Sequence, residues 1–251
     1  MMGDDVMGFG LTFKRYEKKY LLSPDQYKII KAAIDEHFNP DEYGETKICN
    51  LYYDTPEYLL TIRSNDKPVF KEKLRLRTYG VPNDDTTAFL ELKRKYKSVV
   101  YKRRIHLPYA QAINYTCNGE KSFEESQKSR EIDYFINTYT GIAPRFYISY
   151  DRSAFFYKET KDIRITFDKN ITARSYDLDL RLGSYGEQLL PEGYTLMEIK
   201  VPSSAPLWLA QLMSDNNIRP TSFSKVGVAY KNMISREVNR KWNYSPVFST
   251  K

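Results

Sequence analysis

The sequence predicts an α+β chain built on an eight-stranded antiparallel β-barrel, with helices packed on the outside. Three observations predict it. The first is a set of five short stretches, Lys73–Arg77, Leu90–Lys93, Tyr101–Ile105, Ile163–Phe167 and Met197–Val201, in which Arg, Lys or Glu recurs on every second residue with apolar residues between. Strand side chains alternate between two faces, so each stretch gathers its charges on one side. One such strand is merely amphipathic; five of them, mostly basic, fit a sheet curled around a cation-rich interior whose outer face carries helices. The second is that strand-like segments succeed one another through turns, without the regular βαβ alternation of a parallel sheet. The third is their number: about eight antiparallel strands close into a barrel wide enough for one small ligand. Such an interior is a site for a polyanion.

Taken in order, Phe13 to Leu22 reads as a strand, after a start (residues 1–12) that reads as flexible. Ser23-Pro24-Asp25 supplies an N-cap, a proline at the first helical position and an acid in the first turn, and Ile29, Ile30, Ala33, Ile34 and Phe38 keep the helical period. Ile48 to Asp54 is the next strand, closed by Thr55-Pro56, with a short helix over 57–64. Strands near 69–79, 87–96 and 99–107 form a meander through the breaks at Gly80-Val81-Pro82-Asn83 and Tyr96-Lys97-Ser98. Ile132, Phe135, Ile136 and Tyr139 share a face, so 125–140 is helical, with Gly141 as its stop. Strands near 145–157, 162–168 and 194–201 follow, then helices over 206–215 and 225–241, and a tail from 242 to 251. No repeat or low-complexity linker divides the chain, and residues 13–241 read as one domain.

Composition narrows the classes. The chain has 251 residues, 41% hydrophobic and 28% charged, and no apolar run approaches the roughly 20 residues needed to cross a bilayer. The first ten residues include Asp4 and Asp5 and lack the basic-then-apolar pattern of a secretory signal, so a cytoplasmic location is expected. Cys49 and Cys117 are two and far apart, which argues against a disulfide framework and a cysteine zinc site, while His37 and His106 belong to no ligand cluster. The net charge of +7 is compatible with nucleic acid, anionic lipid or phosphate ligands. No Gly-rich phosphate loop, Ser-His-Asp arrangement or cysteine nucleophile stands out.

Glu17-Lys18-Lys19, Asn50-Leu51-Tyr52-Tyr53-Asp54-Thr55-Pro56, Arg75-Leu76-Arg77, Leu90-Glu91-Leu92-Lys93 and Met197-Glu198-Ile199-Lys200 occur in an order that resembles the triphosphate tunnel metalloenzymes, the CYTH-like superfamily. Within it the chain most resembles the polyphosphate polymerase domain of the vacuolar transporter chaperone (VTC) type. Tyr150-Asp151-Arg152-Ser153-Ala154-Phe155, Arg164-Ile165-Thr166-Phe167-Asp168 and Ser222-Phe223-Ser224-Lys225 add to the likeness, which runs from about residue 13 to 232.

The resemblance implies a tunnel that binds triphosphate or polyphosphate through inward basic residues. The phosphate ligands it implies are Lys19, Arg75, Arg77, Lys93, Lys102, Arg152, Arg164, Lys200 and Lys225. It implies Glu198 as principal ligand of Mn²⁺ or Mg²⁺, with Glu17 and Glu91 as further candidates, and catalytic roles for Arg75, Arg77, Lys93, Arg164 and Glu198. Glu91 and Glu198 have a second reading as salt-bridge partners of Lys93 and Lys200. Two positions depart from the pattern. Arg15 stands where the hydrolases and cyclases open with glutamate, which favours the polymerase branch, and Ser222 stands where that branch often carries a lysine.

The expected activity is transfer of the γ-phosphate of ATP to inorganic polyphosphate. The alternatives are a tripolyphosphatase or nucleoside triphosphatase on the same tunnel, or a non-catalytic polyphosphate or inositol phosphate binder. Phosphoryl transfer needs positioning and charge stabilisation rather than a protein nucleophile, which suits a cation-lined cavity. Nucleic acid ranks last, because an enclosed tunnel of nonaromatic cations excludes a duplex. Domains of the resembled family can be fused to membrane segments; none is present here, so membrane association is expected to come from a partner protein.

Overall fold

In the computed structural model, residues 16–243 are described except 67 and 98, with side chains as far as 237. The expected flexible start over 1–12 and Arg15 lie outside the described residues. The first elements are strand β1 (Tyr16–Leu22), helix α1 (Pro24–His37), strand β2 (Phe38–Asp54) and helix α2 (Leu59–Asn65). The meander β3 (Phe70–Tyr79), β4 (Thr87–Tyr96) and β5 (Val99–Pro108) follows, then α3 (Tyr109–Asn118) and α4 (Gln127–Thr138). The remainder comprises β6 (Ala143–Tyr157), β7 (Arg164–Arg174), the two-residue β8 (Glu187–Gln188), β9 (Thr195–Val201), α5 (Leu207–Asp215), the two-residue β10 (Pro220–Thr221) and α6 (Lys225–Asn243). The tail expected from 242 is described only at 242 and 243, where it continues α6.

All the pairings are antiparallel, in one ten-stranded sheet ordered β10-β1-β9-β7-β6-β2-β3-β4-β5, with β8 on β7. Its eight long strands match the eight expected, but the closed barrel is corrected: no ladder joins β5 to β1 among the described residues. The sheet curls instead until its halves meet over the segment before α6. Lys19 of β1 donates to the Phe223 carbonyl at 3.4 Å, and Lys73 of β3 donates to Ser224 Oγ at 3.3 Å.

The outer face is apolar, as the alternating pattern requires. Leu51, Leu74, Leu76, Leu90 and Leu92 pack against Ala112 and Tyr115 of α3 and Ile132 and Phe135 of α4. On the other half, Ile165, Phe167, Met197 and Ile199 pack against Ile30 and Ile34 of α1 and Leu209 and Met213 of α5. The Ser23 capping box forms with Gln26, which fixes where α1 starts.

A third cluster lies under α6, where Val226 and Ala229 cover Ile48, Phe146, Ile148 and Leu196. Gly227 allows this, because a Cβ there would lie 2.7 Å from Asn65 Oδ1 of α2. Buried Asp54 anchors α2 by accepting from the backbone N–H groups of Thr55, Leu60 and Thr61, each at 2.9 Å. The Asn50–Pro56 motif therefore has a structural role in this corner.

Candidate functional site

Pairing register places the charged residues on one face. Lys19 lies opposite Glu198, and Glu17 opposite Lys200. Arg164 lies opposite Lys200 and Thr166 opposite Glu198. Arg152 faces Asp168 across β6 and β7. In the other half, Asn50 lies opposite Arg77 and Tyr52 opposite Arg75. Lys73 then pairs with Lys93, and Arg75 with Glu91. Glu91 in turn lies opposite Arg104, and Lys93 opposite Lys102. Directly opposed residues share a face, so the expected phosphate ligands of β1, β3, β4, β5, β6, β7 and β9 line one concave surface, joined by Lys225 from α6.

Three carboxylates hold this cation array together. Glu91, its side chain only 2% exposed, accepts from Arg75 Nε at 2.6 Å, Lys102 Nζ at 2.6 Å and Arg104 Nη2 at 2.5 Å. Burial opposes its ionisation, yet Arg75, Arg77 and Lys102 hold its carboxyl well below the usual range. Asp168 accepts a bidentate pair from Arg152 at 2.6 and 2.7 Å and a third bond from Lys225 at 2.6 Å. It too stays ionised against burial, through Lys225 and Arg152. Glu198 lies 2.6 Å from Lys200 and 3.9 Å from Lys19, and Lys19 is 3.6 Å from Glu17. Burial would raise its pKa, but Lys200 and Lys19 pull it down to about 2.

The salt-bridge reading is met for Glu198 with Lys200. Glu91 takes cross-strand partners instead of Lys93. Arg164 reaches Asp41 at 3.3 Å and lies over the Phe156 ring, with its buried Nε unpartnered. Among the described residues, no three His, Cys, Asp or Glu side chains form a metal-binding cluster.

Several site residues had no role in the sequence reading. Arg77 donates to Asn50 Oδ1 at 3.0 Å and to the Tyr150 hydroxyl at 3.1 Å. Arg152 and Lys225 both lie over the Tyr150 ring, at 5.1 and 4.4 Å from its centroid. Arg75 donates to the Tyr52 hydroxyl at 3.3 Å. Burial would push the Tyr52 phenol up, but Arg75, Arg77 and Lys225 bring it down to about 8. These tyrosines orient the arginine forks. The signal was present in the alternation, since Asn50, Tyr52 and Tyr150 fall on the same face as the cations.

Lys73 was also unassigned. Burial, with Lys19, Lys71 and Lys93 nearby, pushes its pKa down to about 8. Because this lies below the unfolded value, the unfolded chain binds more protons between about pH 8 and 10.4, so Lys73 favours folding more as pH rises through that window. A polyanion beside Lys73 restores its charge. Tripolyphosphate binding is therefore expected to take up a proton near pH 8 and to weaken as pH rises further. Titration calorimetry in buffers of different ionisation enthalpy reads that uptake, and Lys73→Met should reduce it.

No helix among the described residues is long and apolar enough to cross a membrane. A search of curated proteins found no match. Among solved structures, the chain is similar to a candidate adenylate cyclase from Bacillus halodurans, with 13% identity and a TM-score of 0.53, covering 84% of this chain and 95% of that one. It is also similar to a candidate adenylyl cyclase from Hippeastrum with a dominant triphosphatase activity, at 17% identity and a TM-score of 0.51, covering 86% and 95%. These likenesses are of fold. The VTC domain family model matches residues 14–234, the whole of the curled sheet and the first half of α6. The chain belongs to the VTC domain family and shares its fold with these two solved structures.

Proposed function

We propose that the protein is a metal-dependent polyphosphate polymerase that transfers the γ-phosphate of ATP to a polyphosphate chain held on the concave face. The observation that carries this reading is the convergence of Arg75, Arg77, Lys93 and Lys102 from one half of the sheet with Lys19, Arg152, Arg164, Lys200 and Lys225 from the other. Arginine forks suit paired phosphate oxygens, and lysines supply compact charge. In this reading Arg75, Arg77, Lys93 and Arg164 orient the phosphates and stabilise charge on the moving phosphoryl group.

The residues fit a divalent ion at Glu198. It has Glu17 on the neighbouring strand, and it faces Thr166, whose buried hydroxyl has no hydrogen-bond partner. A small set of carboxylates suits Mg²⁺ or Mn²⁺, which take their remaining ligands from water and phosphate. Such an ion would neutralise phosphate charge when bound. Glu91, already held by three cations, serves as the electrostatic hub of the β3–β5 half rather than as a metal ligand.

A polymerase is favoured over a hydrolase because Glu91 and Asp168 are each taken up by two or three cations, which leaves them poor bases for activating water. A terminal phosphate acceptor is already largely ionised at neutral pH and needs no such base. The test incubates purified protein with ATP and Mn²⁺ and measures acid-labile polymer alongside ADP. Polymer from the parent and none from Glu198→Gln is the expected result. Free phosphate and ADP without polymer would mean water is the acceptor, and binding of tripolyphosphate with no turnover would mean a non-catalytic binder.

A further inference from the structure

The cation face runs out along β3, β4 and β5 into a three-stranded tongue that nothing covers among the described residues. Phe70 pairs with Tyr96, Tyr96 with Val99, Lys71 with Lys95, and Lys95 with Val100. One side of the pleat therefore presents Phe70, Tyr96 and Val99, and the other presents Lys71, Lys95 and Val100. Val69, Phe70, Tyr96, Val99, Val100 and Tyr101 are each between 37% and 60% exposed. Helix α4 covers the sheet only as far as Arg94 and Arg103, which pair with Glu131 at 3.5 and 2.8 Å. Lys97 N donates to the Val69 carbonyl at 2.7 Å, closing the tip, and its ammonium lies 5.6 Å from the Tyr96 ring centroid.

Residues 68–71 and 95–101 contain no Asp or Glu, but they do contain Lys71, Lys95 and Lys97. A contiguous apolar tip of this kind marks an interaction surface. A second copy of the chain is disfavoured as its occupant, because two tongues would bring these lysines together with no intervening acid. The chemistry fits an anionic bilayer. Valine and phenylalanine enter the acyl boundary, tyrosines sit at the headgroups, and lysines reach lipid phosphates and carboxylates. Two or three strand residues beyond α4 reach about 7–10 Å, which matches interfacial burial of roughly 5–10 Å.

We infer that this tongue docks the protein on an anionic membrane surface, with the cation face opening beside it. The inference is independent of the reaction proposed above. The test is co-sedimentation of the full chain with vesicles of phosphatidylcholine alone or with roughly one-third phosphatidylserine, in excess tripolyphosphate so that lipid phosphates cannot compete for the cation face.

Binding to the anionic vesicles at least about tenfold tighter than to neutral ones is expected, with about a fivefold loss in Lys97→Gln. The exposed-site variant Phe70→Ser/Val100→Ser/Tyr101→Ser should lose most of the binding while keeping its circular dichroism and its affinity for tripolyphosphate. A Tyr96→Trp reporter should be quenched by brominated lipid. No vesicle binding, binding indifferent to these substitutions, or binding abolished by tripolyphosphate would each overturn the inference. So would self-association lost in the serine variant without any vesicle binding, which would assign the tongue to a second copy.

Discussion

Glu91→Gln is expected to lower the thermal unfolding midpoint by about 6–12 °C, corresponding to roughly 3 kcal/mol in a domain of this size. The cause is the loss of the carboxylate that Arg75, Lys102 and Arg104 share. With Glu91 neutral, three guanidinium and ammonium groups remain close together with no carboxylate among them. Lys102 and Arg104 are partly exposed, which limits their share, so the cost falls at the low end for a broken buried pair. Tripolyphosphate should restore more of the midpoint in Glu91→Gln than in the parent, because the polyanion supplies the missing negative charge. Added salt should also narrow the difference by screening the repulsion. Differential scanning fluorimetry with and without tripolyphosphate reads both effects, and equal shifts for parent and variant would contradict the role given to Glu91.

Arg75→Ala is expected to behave in the opposite way, with turnover reduced about 10²- to 10³-fold and a smaller change in stability. Glu91 keeps Lys102 and Arg104 when Arg75 is removed, so the carboxylate is not left unpaired. What is lost is the fork that Glu91 and the Tyr52 hydroxyl aim along the concave face. Arg75→Lys should recover only part of the rate, since an ammonium restores charge without paired donation. Polymer formation measured beside the unfolding midpoint separates the two variants. An Arg75→Ala protein with parental turnover would remove Arg75 from the catalytic set.

The elements that were legible are those whose pattern is local. Strands β3, β4, β5 and β9 carry period-two alternation, and α1 carries its cap, proline and apolar stripe. The first half of β2 was hidden because Phe38 fits the end of the helical period and strand-like alternation is clear only from Ile48. The chain does bulge between Pro40 and Glu45, with Gly44 at φ +57°, yet it pairs with β6 on both sides. Helix α3 begins directly after Pro108, at the end of a clear strand, and its ten residues offer only a short apolar face. The end of β7 and the two-residue β8 and β10 exist through pairing with neighbours, which no single segment announces.

The cations of the site were readable one strand at a time, and their partners were not. Glu91 and Lys93 are two residues apart on one strand, about 7 Å along it, whereas cross-strand neighbours come within about 5 Å. Which strand neighbours which therefore decided that Glu91 would meet Arg75 and Arg104. The same holds for Asp168 with Arg152, and for the tyrosines that support Arg75 and Arg77.

The two halves of the sheet are expected to present one shared binding surface. Titration calorimetry with tripolyphosphate tests it most directly on Lys93→Ala from β4 and Lys200→Ala from β9. Each is expected to weaken binding about tenfold or more, as loss of a charge-assisted phosphate contact should. A loss confined to one of the two, with parental affinity in the other, would contradict a common channel.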